Sequence, residues 1–236
     1  MAANRASTVD WPAQFKRLQE SSQNAHLKNF YQAGVVEPQT PINDVPMVAL
    51  DFETTGLNSE RDEIVSIGLI PFDTQRIYCR QAKHWIVNPA RSLTDNSVVI
   101  HQITHSDIDQ APDLKSILDA VLDALAGKIV VVHYRAIERE FLTKALLRRI
   151  KEGIQFPVID TMAIEQSVLE QRRGLLGKLL HQPLGSVRLP DCRQRYNLPV
   201  YQLHHAMIDA LATAELLQAQ LAHHYPPAVT VGELWC

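Results

Sequence analysis

An uninterrupted apolar run, residues 48–50, leads directly into two acidic residues, Asp51 and Glu53. Because every residue of the run is apolar, it predicts a strand that is covered on both faces and lies at the centre of a sheet. Alternation along a strand places both carboxylates on one face, about 7 Å apart. Two buried carboxylates are costly unless a cation lies between them. The segment therefore predicts a divalent-metal site, with a solvated, frayed strand end as the alternative.

The apolar segments that follow alternate between strand and helix patterns. Strands are predicted at residues 64–71, 77–87, 128–133 and 158–160. Helices are predicted at residues 114–125, 137–150 and 205–222. Three strands, followed by alternating helices and strands, predict an α/β fold in which one mixed sheet is flanked by helices on both faces.

The first 44 residues have a different pattern from the rest of the chain. Asp10 before Trp11 is a helix-start signal, and spaced apolar residues after it form an intermittent helical stripe. We predict an N-terminal helical extension over residues 1–44 that packs on the core, with a partner-binding helix as the alternative. The main domain is predicted over residues 45–224, and a C-terminal tail over residues 225–236.

Composition narrows the classes of function. With 236 residues, 46% of them hydrophobic, the chain can bury one substantial core. Its formal net charge of −3 excludes a broad basic surface for duplex nucleic acid, so any nucleic-acid contact must be local. The acidic balance fits an enzyme that concentrates carboxylates around divalent cations.

Cysteine spacing and hydropathy bear on location. Three cysteines without a CxxC spacing predict neither a disulfide framework nor a thiolate zinc site. The sequence has no signal-peptide pattern and no run of roughly 18 apolar residues. We therefore predict a cytoplasmic protein that does not cross a membrane.

Two further groups of polar residues lie near predicted strand ends and helix starts. His133 ends a predicted strand, and Glu138 lies one turn into the next helix, where its side chain can return toward the strand ends. Glu140 competes with it as an equally plausible surface acid. His204 precedes Asp209 by five positions at the start of the terminal helix, which is rich in Ala and Leu. An acid in such surroundings needs a cationic partner, and a metal would serve.

These segments resemble the three exonuclease motifs of the DnaQ-like, DEDDh family, which includes the proofreading subunit of bacterial replicative polymerase, RNase T and oligoribonuclease. The resemblance covers residues 45–221. The first motif is matched almost residue for residue by Asp51-Phe52-Glu53-Thr54-Thr55-Gly56-Leu57. The second is matched by His133-Tyr134, Glu138 and Phe141-Leu142, and the third by His204, Asp209 and Ala210. Two intermediate family segments are matched by His101-Gln102-Ile103-Thr104 and Asp160-Thr161.

Three positions depart from the family pattern. Tyr134 stands where the family has Asn, Gln102 where it has Gly, and Glu138 where it has Asp. The extra methylene of Glu138 moves its carboxylate by about one C–C bond, and metal geometry is sensitive on that scale. We therefore expect an altered metal preference or rate.

The resemblance implies an RNase H-like fold with a mixed five-stranded sheet, and two divalent ions, Mg²⁺ or Mn²⁺. Asp51 would bridge both ions, with Glu53 and Asp209 completing their shells. Glu138 would hold the second ion directly or through water, and His204 would act as the general base. The implied reaction is 3′-to-5′ hydrolysis that releases nucleoside 5′-monophosphates.

Substrate contacts are carried over from the same resemblance. The candidates in the matched motifs are Thr54, Thr55, Gly56, Leu57, His101, Ile103, Tyr134 and Phe141. A basic segment, residues 171–195, precedes His204, and its glycines and prolines predict a mobile loop. From this segment we select Arg172, Arg173 and Lys178 for phosphate contact, with a solvated surface loop as the alternative.

We predict that the substrate is a single-stranded DNA 3′ end, handled in proofreading or repair. One alternative is an exoribonuclease for short RNA, because the motifs do not encode how the 2′-OH is read. The other is a catalytically inactive nucleic-acid-binding module of the same fold. A protein partner would bind through the N-terminal extension, and the sequence leaves the oligomeric state open.

Overall fold

The computed structural model describes residues 9–89, 103–202 and 204–236. Its centre is a sheet of the strands β1 (Met47–Thr54), β2 (Ile64–Phe72), β3 (Lys83–Ile86), β4 (Ile129–Val132) and β5 (Val158–Asp160). The strand order is β3-β2-β1-β4-β5. Because β1 pairs antiparallel with β2 and parallel with β4, the sheet is mixed, which confirms the predicted fold class.

Helices flank this sheet and precede it in the chain. The α-helices are α1 (Trp11–Ser21), α2 (Ala25–Gln32), α3 (His105–Asp109), α4 (Leu114–Leu125), α5 (Arg135–Ile150), α6 (Thr161–Leu179), α7 (Leu189–Arg195) and α8 (Ala206–His224). Short 3₁₀ turns lie at Ile42–Asp44, Cys79–Gln81 and Val231–Glu233. Within the described ranges, no helix combines the length and the apolar character that crossing a bilayer requires.

Strand β1 lies at the centre of the core because neighbours cover it on every side. It is flanked by β2 and β4, and α8 packs across it. Its pairing places Asp51 opposite Gly68 and Glu53 opposite Ser66 of β2. An irregularity in the pairing after Glu53 interrupts the ladder. Both acids therefore lie at the end of the regular strand.

Helix α8 crosses β2 so closely that Gly68 leaves no room for a side chain. A methyl group at this position would overlap the backbone of Ala206 and Met207 in the first turn of α8. Glycine permits such a close backbone approach. The contact places the first turn of α8, which carries Asp209, beside the central strands.

The N-terminal helices α1 and α2 share the main hydrophobic core. The carboxylate of Asp10 accepts a hydrogen bond from the backbone N–H of Ala13, which confirms the predicted helix start. The ring of Phe15 in α1 contacts the rings of Phe30 and Tyr31 in α2, and all three are buried. The extension therefore packs on the core, as its apolar stripe predicts.

The C-terminal residues pack at the β5 edge of the sheet. Val158 of β5 and Cys236 exchange two backbone hydrogen bonds, and Trp235 is buried in the core. The division into an extension, a main domain and a tail stays a prediction, although both flanking segments contact the central part. All three cysteines are free thiols.

Two predicted elements differ from the structure. The third strand is shorter than residues 77–87, because a 3₁₀ turn interrupts that segment and Lys83–Ile86 alone forms a strand against β2. The predicted loop over residues 171–195 is wrong for most of its length. Helix α6 continues to Leu179 across a kink at Gly174, where φ is 60° and ψ is −172°, and α7 follows.

Two arginines of that basic segment stabilise the fold. The buried guanidinium of Arg193 donates hydrogen bonds to the carbonyls of Pro199 and Ala212 and to the carboxylate of Glu215. The guanidinium of Arg195 pairs with the buried carboxylate of Glu165 at 2.7 Å. Both charges are neutralised inside the fold, where they hold α7 against α6 and α8.

We expect Gly68→Ala to loosen the first turn of α8. Overpacking of this kind costs typically about 1–3 kcal/mol. Hydrogen exchange measured on the native protein should show faster exchange for the amides of residues 206–209. Gly127→Ala is the control, because Gly127 has a positive φ (68°) that strains any side chain, whereas the nearest backbone atom lies 3.9 Å from the added methyl group, at ordinary contact distance. It should lower stability without changing those amides, and equal exchange at residues 206–209 in both variants would contradict the close-approach argument.

Candidate active site

Three carboxylates meet where β1 ends and α8 begins. One oxygen each from Asp51, Glu53 and Asp209 lies within 4.8 Å of the other two. Asp51 and Glu53 project from the same face of β1, and Asp209 projects from the first turn of α8. Clustered carboxylate oxygens are ligands that suit hard divalent cations such as Mg²⁺ and Mn²⁺.

A fourth carboxylate, Glu138, reaches the same place from the first turn of α5. Its side chain is 2% exposed and lines a cavity of about 390 Å³ together with Asp51, Glu53 and His204. It stands slightly apart from the trio of closest oxygens. Glu140, the competing acid, is exposed and accepts a hydrogen bond from the Ser59 hydroxyl at 3.3 Å. The inward-facing acid of α5 is therefore Glu138.

Burial and mutual repulsion disfavour the charged forms of these acids. Burial raises the pKa of Asp51 well above its ordinary range, and the three neighbouring carboxylates add to the rise. The pKa of Glu138 is also raised, mainly by burial and further by the charge of Asp160. Burial, followed by repulsion from Glu53, raises the pKa of Asp209 to about 6.

Two buried carboxylate oxygens have no hydrogen-bond partner among the described residues. They are Oε2 of Glu138 and Oδ1 of Asp209. Leaving such atoms unsatisfied is costly, and native structures rarely do so without a functional reason. A divalent cation would satisfy both oxygens and remove the repulsion between the acids. The residues present therefore fit a metal centre.

His204 lies at the rim of this centre, two residues before α8. Its backbone adopts a left-handed conformation with φ of 67°, and its N–H donates a hydrogen bond to Oδ2 of Asp209 at 2.9 Å. The side chain is exposed to solvent and lines the cavities beside the carboxylates. A group that can exchange protons with water is thus tied to one of the acids.

His133, by contrast, is locked in place. One ring nitrogen is 2.8 Å from the hydroxyl of Thr161 and the other is 2.9 Å from the carbonyl oxygen of Val187. Burial lowers its pKa. Because both nitrogens are engaged, His133 fixes the end of β4 and is a poor candidate for proton transfer.

The turn after β1 is held by its own side chains. The hydroxyl of Thr54 donates to the carbonyl oxygen of Gly56 at 2.6 Å, and the hydroxyl of Thr55 donates to Asp62 at 3.3 Å. Leu57, at the tip, is 85% exposed. The two threonines therefore shape the turn, while Leu57 is the side chain presented to a ligand.

A larger cavity of about 870 Å³ opens beside the carboxylates. Its lining includes Asp51, Leu57, Tyr134, Ile137, Met162, Arg188, His204 and Asp209. This volume lies toward the upper end of the range of roughly 300–1,000 Å³ that is usual for ligand sites. Met162 and Arg188 lie outside the matched motifs and were not among the predicted contact residues. The basic character of residues 171–195 was the available signal for Arg188, but the start of α7 that positions it was not recognised.

Some predicted contact residues lie away from the cavity. Phe141 is 2% exposed and belongs to the main core, because it packs against other hydrophobic residues from the buried face of α5. Ile103 is buried in a small cluster with Val65 and Ile108. Burial gives both side chains a packing role and argues against direct contact with substrate. His101 lies outside the described residues.

Two of the three predicted phosphate-binding residues, Arg172 and Arg173, have their described contacts away from the carboxylates. Arg172 acts electrostatically on His224, at the C-terminal end of α8 and about 27 Å along that helix from its first turn. Arg173 donates to the carbonyl oxygen of Gln182. The side chain of Lys178 lies outside the described part of the chain. Arg188 is instead the basic side chain found in the lining of the large cavity.

Comparison with known proteins identifies relatives of this chain. The RNase_T family model, described as an exonuclease, matches residues 48–217. The chain is 31% identical over 180 residues to the DNA polymerase III subunit epsilon of Treponema pallidum, covering 76% of this chain and 78% of that protein. It is 28% identical over 173 residues to the PolC-type DNA polymerase III of Thermotoga maritima, of which the match spans 12%.

Solved structures share the fold at lower identity. Cell-death related nuclease 4 (CRN-4) is similar with a TM-score of 0.64 and 21% identity, covering 79% of this chain and 66% of that one. The nuclease domain of 3′hExo, a DEDDh member bound to rAMP, is similar with a TM-score of 0.60 and 15% identity, covering 76% and 92%. These likenesses establish the RNase H-like exonuclease fold.

We expect Asp209→Asn to stabilise the metal-free protein at neutral pH. Folding raises the pKa of Asp209 from 3.8 to about 6. The stability that the neutral carboxyl group of Asp209 contributes is therefore fully present below pH 4 and is lost as the pH rises through 6. At about 1.4 kcal/mol per pKa unit, the loss at pH 7 amounts to roughly 3 kcal/mol. Urea unfolding in EDTA should show the variant gaining on the wild type between pH 4 and pH 7.

Exposed Asp119 provides the control, since Asp119→Asn should change stability by less than about 0.5 kcal/mol at either pH. Added Mn²⁺ should raise the stability of the wild type at pH 7 much more than that of Asp209→Asn. A difference between wild type and Asp209→Asn that does not depend on pH would contradict the repulsion argument.

Proposed function

Because this chain belongs to the exonuclease family of DnaQ-like, DEDDh type, we propose that it shortens single-stranded DNA from the 3′ end with two divalent cations. One observation carries the proposal. Carboxylates from β1, α5 and α8 converge on one point, and buried oxygens of Glu138 and Asp209 have no partner among the described residues. Packing alone does not account for four acids in such a place.

The cations would be held by Asp51, Glu53 and Asp209, with Glu138 contributing from the other side of the cavity. All four offer only carboxylate oxygens, which favours Mg²⁺ or Mn²⁺ over softer metals. When bound, the ions would supply the positive charge that stabilises the attacking and leaving oxygens of a phosphodiester. The role proposed for the four acids is to bind these ions and to fix their positions.

His204 is the residue we assign to proton transfer. It is exposed, it lines the cavity, and its backbone N–H is bonded to Asp209, so its imidazole is held near the acids yet in contact with water. As general base it would take a proton from the attacking water, a contribution typically worth about 10²- to 10⁴-fold in rate. The product would be a nucleoside 5′-monophosphate.

Substrate binding is proposed to be local, as the net charge of −3 requires. The large cavity offers the exposed Leu57 and Tyr134 as apolar surfaces and Arg188 as a cationic one. The 3′ end of a single-stranded nucleic acid that enters this cavity would place its bases against the apolar side chains and a phosphate near Arg188. This arrangement favours single strands, because bases must be unpaired to be contacted in this way.

Pathway, partner and location are proposals from the relatives. Similarity to a DNA polymerase III epsilon subunit supports proofreading or repair, with a polymerase as the partner. The chain spans 78% of that relative and only 12% of the PolC-type one, so their other activities are not carried over. The N-terminal helices would offer a protein-binding surface through their exposed faces. A cytoplasmic location rests on the cysteine pattern.

The direct test uses 5′-labelled DNA and RNA oligonucleotides of the same sequence, with Mg²⁺ or Mn²⁺. The proposal predicts a ladder of products shortened from the 3′ end, faster for DNA than for RNA, and release of nucleoside 5′-monophosphates. Asp51→Asn should remove the activity. Faster RNA cleavage would establish the exoribonuclease alternative. Binding without cleavage under all four conditions would establish the inactive module.

We predict that Glu138 is a working ligand whose length tunes metal preference. Mg²⁺ demands nearly ideal geometry, whereas looser sites suit other ions, so wild-type activity should be higher with Mn²⁺ and Glu138→Asp should narrow the difference. Glu138→Gln should lower kcat roughly 10²- to 10³-fold with either metal. Glu140→Gln is the matched control. Glu140 also lines the large cavity, but it is exposed and bonded to Ser59, so the variant should retain kcat. An active Glu138→Gln enzyme would remove Glu138 from the metal centre.

A further inference from the structure

Tyr134 combines an unfavourable backbone with an exposed aromatic ring at the mouth of the large cavity. Its φ is 95° and its ψ is 77°, a conformation that side chains other than Gly, Asn and Asp rarely adopt. We propose that Tyr134 is a base-stacking residue, which holds one of the unpaired bases at the 3′ end of a single-stranded substrate. This inference rests on the proposed exonuclease function and specifies how its substrate is gripped.

The backbone of Tyr134 is pinned from β5 and the start of α6. Its N–H donates to one oxygen of Asp160 at 3.1 Å, and the next N–H, of Arg135, donates to the other oxygen at 3.1 Å. The preceding residue, His133, is fixed through both ring nitrogens. Strained conformations persist where the surrounding structure over-determines them, and they cluster at functional sites.

The ring has no structural task that would explain this strain. Its side chain is 47% exposed, so it contributes little to the core. The phenolic hydroxyl makes no hydrogen bond to any described residue. Asn, which the family has at this position, tolerates positive φ far better than Tyr does. The chain therefore keeps a large aromatic where a small residue would fit the backbone more easily.

The position of the ring explains what it would contact. Tyr134 lines the same cavity as Asp51 and His204, and its apolar neighbours there include Leu57 and Ile137. An aromatic face in a cavity lined by apolar side chains suits the flat, apolar face of a nucleobase, whereas a phosphate would be held by the proposed metal centre and by Arg188. Stacking on an aromatic side chain is tolerant of base identity, so this contact would not restrict the proposed exonuclease to one base.

Three variants separate the ring from the backbone. Tyr134→Asn removes the ring and suits the left-handed backbone, whereas Tyr134→Phe keeps the ring. Lys151→Asn is the matched control, because Lys151 is an exposed residue with φ of 64° at the opposite end of the same helix, α5. Asn at either position relieves backbone strain, and we expect both Asn variants to melt about 2 to 8 °C higher than the wild type.

The substrates are oligothymidylates that carry a single abasic site at the last, second-last or tenth nucleotide from the 3′ end, with the intact strand as reference. Tyr134→Asn should raise KM for the intact strand about 5- to 150-fold, whereas Tyr134→Phe and Lys151→Asn should leave it near the wild-type value. For the wild type, one of the two abasic sites near the 3′ end should raise KM by a similar factor. That same substrate should show no further loss with Tyr134→Asn, because the stacking partner is already missing.

The outcomes distinguish this inference from the proposed function. If the wild type cleaves the intact strand but Tyr134→Asn has an unchanged KM, the stacking role is wrong and the exonuclease function stands. The stacking role would also be wrong if the KM increase caused by Tyr134→Asn and the KM increase caused by an abasic site multiplied on every abasic substrate. Such a result would show that the ring and the base act independently. If the wild type cleaves neither the oligonucleotides nor the nitrophenyl ester of thymidine 5′-monophosphate, the proposed exonuclease function itself is wrong.

Discussion

Repulsion between buried carboxylates is the constraint on which the rest of this structure depends. Asp51, Glu53 and Asp209 bring oxygens within 4.8 Å of one another, and Glu138 adds a fourth acid to the same cavity. Such a cluster destabilises the folded chain unless a cation compensates it. The surrounding fold must therefore hold the acids together against their repulsion. The central position of β1 and the close packing of α8 at Gly68 provide that rigidity.

The metal-binding acids and the residues proposed to contact water and substrate lie in different structural settings. The acids project from a strand and from the first turns of helices, which fixes their spacing. The groups proposed to meet water and substrate, His204, Leu57 and Tyr134, are exposed and lie on turns or at helix starts. Positive backbone φ at His204 and Tyr134 marks two places, among the described residues, where the chain accepts strain beside the cavity. Stability is thus given up where chemistry and recognition are expected.

Local sequence patterns were sufficient to predict the sheet, the main helices and the inward-facing acids. Two-residue alternation places Asp51 and Glu53 on one face whatever the tertiary structure is, and the motif register distinguishes Glu138 from Glu140. Whether a side chain on a buried helix face lies in the core or lines the cavity could not be predicted in the same way. Phe141 shares the buried face of α5 with Glu138, but only the packed structure shows that it lies in the core. Likewise, Arg193 belongs to the basic segment that was predicted to be a mobile loop, and its burial does not follow from local sequence because its partner, Glu215, lies 22 residues further along the chain.

The central claim, that the four acids form a two-cation site, is tested most directly by a crystal structure of the protein soaked in Mn²⁺, read by anomalous scattering. The account predicts two manganese peaks in the cavity between β1, α5 and α8. Carboxylate oxygens of Asp51 should bind manganese, and the oxygens of Glu138 and Asp209 that have no hydrogen-bond partner among the described residues should be bonded to an ion or to its water. Absence of manganese from this cavity at millimolar concentration, or ions bound without Asp51, would contradict the account.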